Sequence, residues 1–260
     1  MKSYLILVLL IVSSIYPQKV DERKDLKKYF DEYGHEGCFV LYDLNKDTYT
    51  KYNSNRCSER FIPASTFKIF NSLVGLETGD IKDEFEVFKW DSVKRFYDKW
   101  NQDIDMVNAF KYSAVWYYQE LARRIGQEKM QKYISENHYG NEDISGGIDQ
   151  FWLDGGLRIS ADEQIELLKK LYYNKLKFSQ RSMDILKRIM IYEKSQEYII
   201  RAKTGWALRV EDQIGWFVGY VEKQNNVYFF AINIQSKDPE EGFVSRKEIT
   251  FKILKELEIL

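Results

Sequence analysis

At 260 residues, with 44% hydrophobic and 30% charged residues, the chain can bury a real core as one large domain or two small ones, and wholesale disorder is excluded. Thirty-nine basic residues against 40 acidic ones leave a net charge of -1 without a long single-sign block, so the expected partner is neither a nucleic acid nor an anionic membrane. The expected partner is a small molecule, and with 2 histidines and 2 cysteines a structural or His-rich catalytic zinc site is not expected either.

In chain order, Lys2 precedes an apolar run from Tyr4 to Val12, and Ser13 and Ser14 stand before Pro17. This reads as a signal peptide over residues 1–17, since a transmembrane helix needs about 20 apolar residues. No lipobox cysteine follows. The expectation is therefore a periplasmic or secreted protein, residues 18–260, with no stable membrane anchor after cleavage. In an oxidising compartment Cys38 and Cys57 either pair or remain two buried thiols.

Residues 20–33 place Leu26, Tyr29, Phe30 and Tyr33 at helical spacing and predict an amphipathic helix. Residues 38–53 alternate as a hairpin turning at Asn45, Lys46 and Asp47. Residues 64–194 are mostly helical by periodicity, and Ser160 with Glu163 forms a capping box before "ADEQIELLKKLYYN". Strands return in "YIIRAKTGWA", "QIGWFVGYVEK" and "NVYFFAINIQ", and a helix closes the chain. The order predicts an α+β fold: a central antiparallel sheet with the N- and C-terminal helices packed on it, and a mostly helical second lobe.

Five short motifs carry candidate chemistry. In "FIPASTFKIFNSL", Pro63 suits a helix entrance and Ser65 and Lys68 fall on one face across one turn. A serine becomes a nucleophile when a base is within reach, and lysine is that base when burial lowers its pKa; alone, the pair also reads as an N-cap serine and a solvated lysine. Lys203, Thr204 and Gly205 end a predicted strand, offering an ammonium, a hydroxyl and an unobstructed backbone to a carboxylate and an amide. Ser113 in Ser113-Ala114-Val115 reads in isolation as an N-cap, Tyr139-Gly140-Asn141 as a turn, and Trp152 as core.

Together, in this order, S-T-F-K at 65–68, S-A-V at 113–115, Y-G-N at 139–141, the Trp152 segment and K-T-G at 203–205 resemble the class D, oxacillin-hydrolysing, β-lactamases of the penicillin-recognising serine enzymes. The strings "PASTFKI", "YQELARRIG", "FWLDGGLRIS" and "IGWFVGYVE" extend the resemblance over nearly the whole chain after the leader. One departure is Trp116, where a proline often follows the valine. The resemblance implies a Ser65 acyl-enzyme with Lys68, carboxylated on its side-chain nitrogen by carbon dioxide or bicarbonate, as general base; no metal or organic cofactor is implied. Trp152 would hold that group and Val115 would border it. Ser113, helped by Lys203, would pass a proton to the leaving nitrogen. The backbone N–H groups of Ser65 and Trp206 would form the oxyanion hole, and Thr204, Gly205 and Arg246 would bind substrate.

A class A lactamase would offer a glutamate base in an E-x-x-L-N segment, which is not found here, so the deacylating base falls to Lys68. The competing readings are a cell-wall transpeptidase, which more often carries S-x-N as its second motif, and a β-lactam sensor that acylates and stalls. The expected partner is a small β-lactam, bound by a monomer or homodimer. Phe88, Tyr97, Trp100 and Trp116 are candidate site walls, with core packing as the plainer alternative.

Overall fold

The computed structural model describes residues 19–210, 213–236 and 239–260, with the side chains of 239–241 left aside. The predicted signal peptide lies outside the described residues. Seven strands form the main sheet, in the order Lys19–Glu22, Thr48–Tyr52, Glu36–Asp43, Asn226–Ser236, Gln213–Lys223, Tyr198–Ala207 and Ile191–Lys194. Every pairing is antiparallel except the first, in which Lys19–Glu22 runs parallel to Thr48–Tyr52.

That edge strand corrects the helix expected from residue 20. Residues 20–22 pair along the sheet, and helical turns occupy only Lys24–Leu26 and Lys27–Asp31, where Leu26 and Phe30 are buried. A four-residue exposed stretch has no apolar face to bury as helix, and free backbone at the sheet edge offers it hydrogen bonds instead. The hairpin turning before Thr48, the capping box at Ser160 and the three long strands lie where the sequence puts them.

Two cores sandwich the sheet. On one face Phe30, Phe39, Phe217, Phe230 and Ile232 pack with Ile249 and Ile253 of the last helix, Pro239–Glu256. On the other, Val40, Val218 and Phe229 meet the helical lobe built on Lys68–Thr78, Val115–Ile125 and Ala161–Tyr172. Long antiparallel strands alternate their side chains, so one strand feeds both cores. Cys38 and Cys57 are buried and their thiols are free, Cys57 donating from Sγ to the Phe39 carbonyl at 3.5 Å. Among the described residues no helix is long and apolar enough to cross a membrane.

Candidate active site

The site forms where the helical lobe meets the sheet. A 3-10 turn, Ala64–Phe67, leads into the helix that begins at Lys68. Its first residue, Ala64, takes φ 47, a left-handed conformation uncommon for a residue with a Cβ. The turn then presents Ser65 Oγ 2.6 Å from Lys68 Nζ. Lys68 is fully buried, and its Nζ lies 5.4 Å from the centroid of the Tyr118 ring. Burial, and secondarily repulsion from Lys203, holds Lys68 well below the ordinary lysine pKa, which favours its neutral amine form.

The facing wall is the strand Tyr198–Ala207. Its neighbour Ile191–Lys194 pairs only as far as Ile191 opposite Arg201, so Lys203, Thr204 and Gly205 line an open edge inside the sheet. Gly205 is favoured by proximity: a Cβ there would lie 3.0 Å from the Pro63 carbonyl oxygen and 3.0 Å from Thr66 Cγ2, a tight fit. Its bare backbone lets the strand rest against the turn that carries Ser65.

Ser113 is not an N-cap. The helix starts at Val115 after Ala114, and Ser113 sits in the preceding loop at φ 57. Its Oγ accepts a hydrogen bond at 3.1 Å from Lys203 Nζ, which also donates to the Thr204 carbonyl at 3.0 Å. Lys203 is 4% exposed, and burial, assisted by the charge of Arg246, pushes it down to about 7. Arg246, on the last helix, is 5% exposed and is itself pushed down to about 9 by burial. Its Nε and Nη1 have no partner among the described residues, and its guanidinium lies 5.1 Å from the Trp206 ring centroid.

Tyr139, Gly140 and Asn141 shape the loop that bears Trp152. A Cβ on Gly140, at φ 55, would overlap the Arg158 carbonyl, while Asn141 donates to the Gly156 carbonyl at 2.9 Å and accepts from the Arg158 N–H at 2.8 Å. Trp152 is fully buried, stacked on Phe67 at 5.4 Å, directly before Lys68 in the chain. Core packing is thus true of its ring, yet Nε1 is a buried donor with no acceptor among the described residues. An unpaired buried N–H costs about 1–3 kcal/mol, so this one suits an oxygen acceptor attached nearby.

Ser65, Ser113, Val115, Thr204, Gly205, Trp206 and Arg246 all line one cleft of about 360 Å³. Of the four candidate aromatic walls, Tyr97 and Trp100 line it, whereas Phe88 stacks on Tyr117 at 4.3 Å and Trp116 is buried, donating from Nε1 to the Trp100 carbonyl. Sequence reasoning missed Tyr118 beside Lys68, and Tyr112, Leu208 and Phe243 on the cleft wall. Tyr118 had a signal: it lies three residues after Val115, on the same helix face.

Residues 29–255 match the family of the penicillin binding protein transpeptidase domain, the class of penicillin-recognising serine enzymes, in keeping with Ser65 held against a buried Lys68 and Ser113 against Lys203. Relatives narrow the class. The chain is 48% identical over 239 residues to Beta-lactamase OXA-48 of Klebsiella pneumoniae, covering 92% of this chain and 90% of that protein. It is 46% identical to the class D β-lactamase YbXI from Nostoc, whose crystal structure matches with a TM-score of 0.89 over 92% of this chain and 100% of that one. For FUS-1 (OXA-85), a class D β-lactamase from Fusobacterium nucleatum subsp. polymorphum, the values are 42%, 0.89, 92% and 100%. The chain belongs to the class D serine β-lactamases.

Proposed function

We propose that the protein hydrolyses the β-lactam amide of penicillin-type antibiotics through a Ser65 acyl-enzyme, with Lys68 as the base. The observation that carries this reading is the 2.6 Å contact between Ser65 Oγ and a fully buried Lys68. Loss of the ammonium charge lets Nζ take the hydroxyl proton as Oγ attacks the carbonyl carbon. Only a neutral amine reacts with carbon dioxide, so the same burial favours carboxylation of Lys68. Carboxylated on Nζ, Lys68 supplies an anionic general base for acylation and hydrolysis, with Trp152 Nε1 and the wall at Val115 as the groups that would hold it.

Ser113, bonded to Lys203, is suited to return a proton to the leaving nitrogen as the amide breaks. The backbone N–H groups of Ser65 and Trp206 form the oxyanion hole in this reading, a device whose loss of one donor costs about 100-fold or more in rate. Gly205 supports it by allowing their two segments to approach. The partnerless nitrogens of Arg246, together with Thr204, suit the substrate carboxylate. Residues 1–17 act as an export signal and 18–260 as one catalytic domain in the periplasm or outside the cell.

The stalled sensor is disfavoured by relatives that bear the name β-lactamase over nearly the whole chain. Hydrolysis of a penicillin by the purified protein, with and without bicarbonate and with intact mass followed after mixing, tests the reading. Many turnovers that rise with bicarbonate, and an adduct lost in Ser65→Ala, are expected. One stable adduct per chain without turnover would make the protein a sensor or a penicillin-binding domain.

A further inference from the structure

A second cavity, of about 350 Å³, flanks the same strand edge. Of its lining residues only Thr204 also lines the Ser65 cleft. The two spaces are joined by one hydrogen bond: Lys203 lines the second cavity, Ser113 lines the first, and Nζ and Oγ are 3.1 Å apart. Its lining has two characters. Val107, Phe110, Met190 and Tyr192 provide apolar walls, while Lys111, Arg188 and Lys203 bring positive charge.

The charges are unequally compensated. Arg188 pairs with Glu84 at 2.7 Å. Lys111 and Lys203 have no carboxylate partner among the described residues; Lys111 Nζ lies over the Tyr112 ring at 5.7 Å and Lys203 Nζ over the Phe110 ring at 5.5 Å. A bare inorganic anion would leave the apolar walls uncovered, and a hydrocarbon would leave the ammonium groups unmatched. The volume sits at the lower end of small-molecule sites, roughly 300–1,000 Å³.

We propose that this cavity binds a small amphiphilic monoanion, an aryl or alkyl carboxylate or sulfonate, and that its occupant slows turnover by drawing Lys203 away from Ser113. Binding stands on the cavity alone; the effect on turnover rests on the catalytic reading above. Lys203 gives two of its three N–H donors to neutral acceptors, Ser113 Oγ and the Thr204 carbonyl, and an anionic headgroup attracts the ammonium more strongly than either, so Nζ shifts toward the cavity and its 3.1 Å contact with Ser113 lengthens. The inhibition is therefore not competitive with penicillin, whose cleft remains open.

The probe is 8-anilinonaphthalene-1-sulfonate, titrated by fluorescence into the mature protein, with decanoate and phenylacetate as alkyl and aryl displacers. Saturable binding of one probe per chain is expected, reversed by at least one displacer. Val107→Trp, which fills the cavity, and Lys111→Glu, which reverses its charge, should each weaken binding about tenfold or more. Both lie outside the catalytic groups and should keep probe-free penicillin turnover. Bound probe should lower kcat with KM unchanged.

Undiminished binding in both variants, or displacement by neither acid, overturns the site. A rise in KM with kcat unchanged places the probe in the Ser65 cleft and overturns it as well. Binding that leaves kcat untouched overturns the link to Lys203. A protein that binds the probe as described yet never turns over penicillin would sink the catalytic reading and leave the cavity standing.

Discussion

Two lysines are buried at this site, one supplied by the helical lobe and one by the sheet, and their surroundings differ. Lys68 has Ser65 Oγ as its polar contact and the Tyr118 ring beside it. Lys203 donates to both Ser113 Oγ and the Thr204 carbonyl, and is pushed down to about 7. Neither has a carboxylate partner among the described residues. Desolvation is the leading cause for both, with repulsion added from Lys203 on Lys68 and from Arg246 on Lys203. Their partners make the distinction: Lys68 meets a single hydroxyl, whereas Lys203 ties a hydroxyl to a carbonyl and, at about 7, is close to half-charged at neutral pH.

Removing the amine breaks the comparison most severely. Lys68→Ala should keep the fold, because it deletes a buried group with no counter-charge, and lose turnover by a factor on the order of 10³–10⁴, the scale of general-base catalysis. Intact mass should show an acyl adduct that forms slowly and then persists. Full hydrolysis by this variant would remove Lys68 from the mechanism.

Trp152→Phe sharpens it next. The ring that stacks on Phe67 survives in reduced form while the Nε1 donor is lost. We expect turnover to fall about 100-fold, the size of one donor to a buried charge, and bicarbonate to restore part of it. Indifference to bicarbonate in both proteins would show that Nε1 does not hold a carboxylated lysine. Trp152→Ala is the less clean variant, since truncating a buried tryptophan also costs about 3–5 kcal/mol of packing.

A third test concerns how closely lobe and sheet approach. Gly205→Ala puts a methyl 3.0 Å from the Pro63 carbonyl and Thr66 Cγ2. A shift of a few tenths of an ångström there moves the Lys203 strand away from Ser65, and kcat/KM should drop about tenfold from misplacement alone. A variant with native kinetics would mean that the two walls tolerate separation.

The sheet was legible because strands of 10 and 11 residues carry their own alternation, and the Ser160 box because its partners are three residues apart. Ser65 and Lys68 were legible for the same reason, being neighbours across one helical turn. Ser113 read as an N-cap because loop residues at positive φ leave no periodic mark, and its partner Lys203 lies 90 residues away. The parallel edge strand at Lys19–Glu22 was hidden likewise: its four exposed residues show no pattern of their own, and only the neighbour Thr48–Tyr52 makes them a strand. Local chemistry is readable from spacing, whereas contacts made by the topology are not: Ser113 and Lys203 were singled out through family resemblance, and the edge strand was read as helix.

The smallest effect bears on the lysine kept close to half-charged. Lys203 has a folded value of about 7 against an ordinary 10.5. Between those limits the unfolded chain holds a proton that the folded chain has released, so this site makes stability rise with pH across that window. Lys203→Met has no such proton. The variant should therefore be at its most favourable relative to the native protein below pH 7, and its advantage should shrink as pH climbs to 10, by at most about 4 kcal/mol. Ser113 loses its partner in the variant at a cost of about 1–3 kcal/mol, but that cost does not vary with pH. Lys68 and Arg246 are also lowered by burial and are present in both proteins; removing Lys203 relieves its repulsion on Lys68 as well, which changes the difference in the same direction. Urea unfolding of both proteins at pH 7 and pH 10 measures it. A difference that stays constant, or moves in the variant's favour with rising pH, would mean that Lys203 keeps its full charge in the fold and that burial does not lower it as its surroundings suggest.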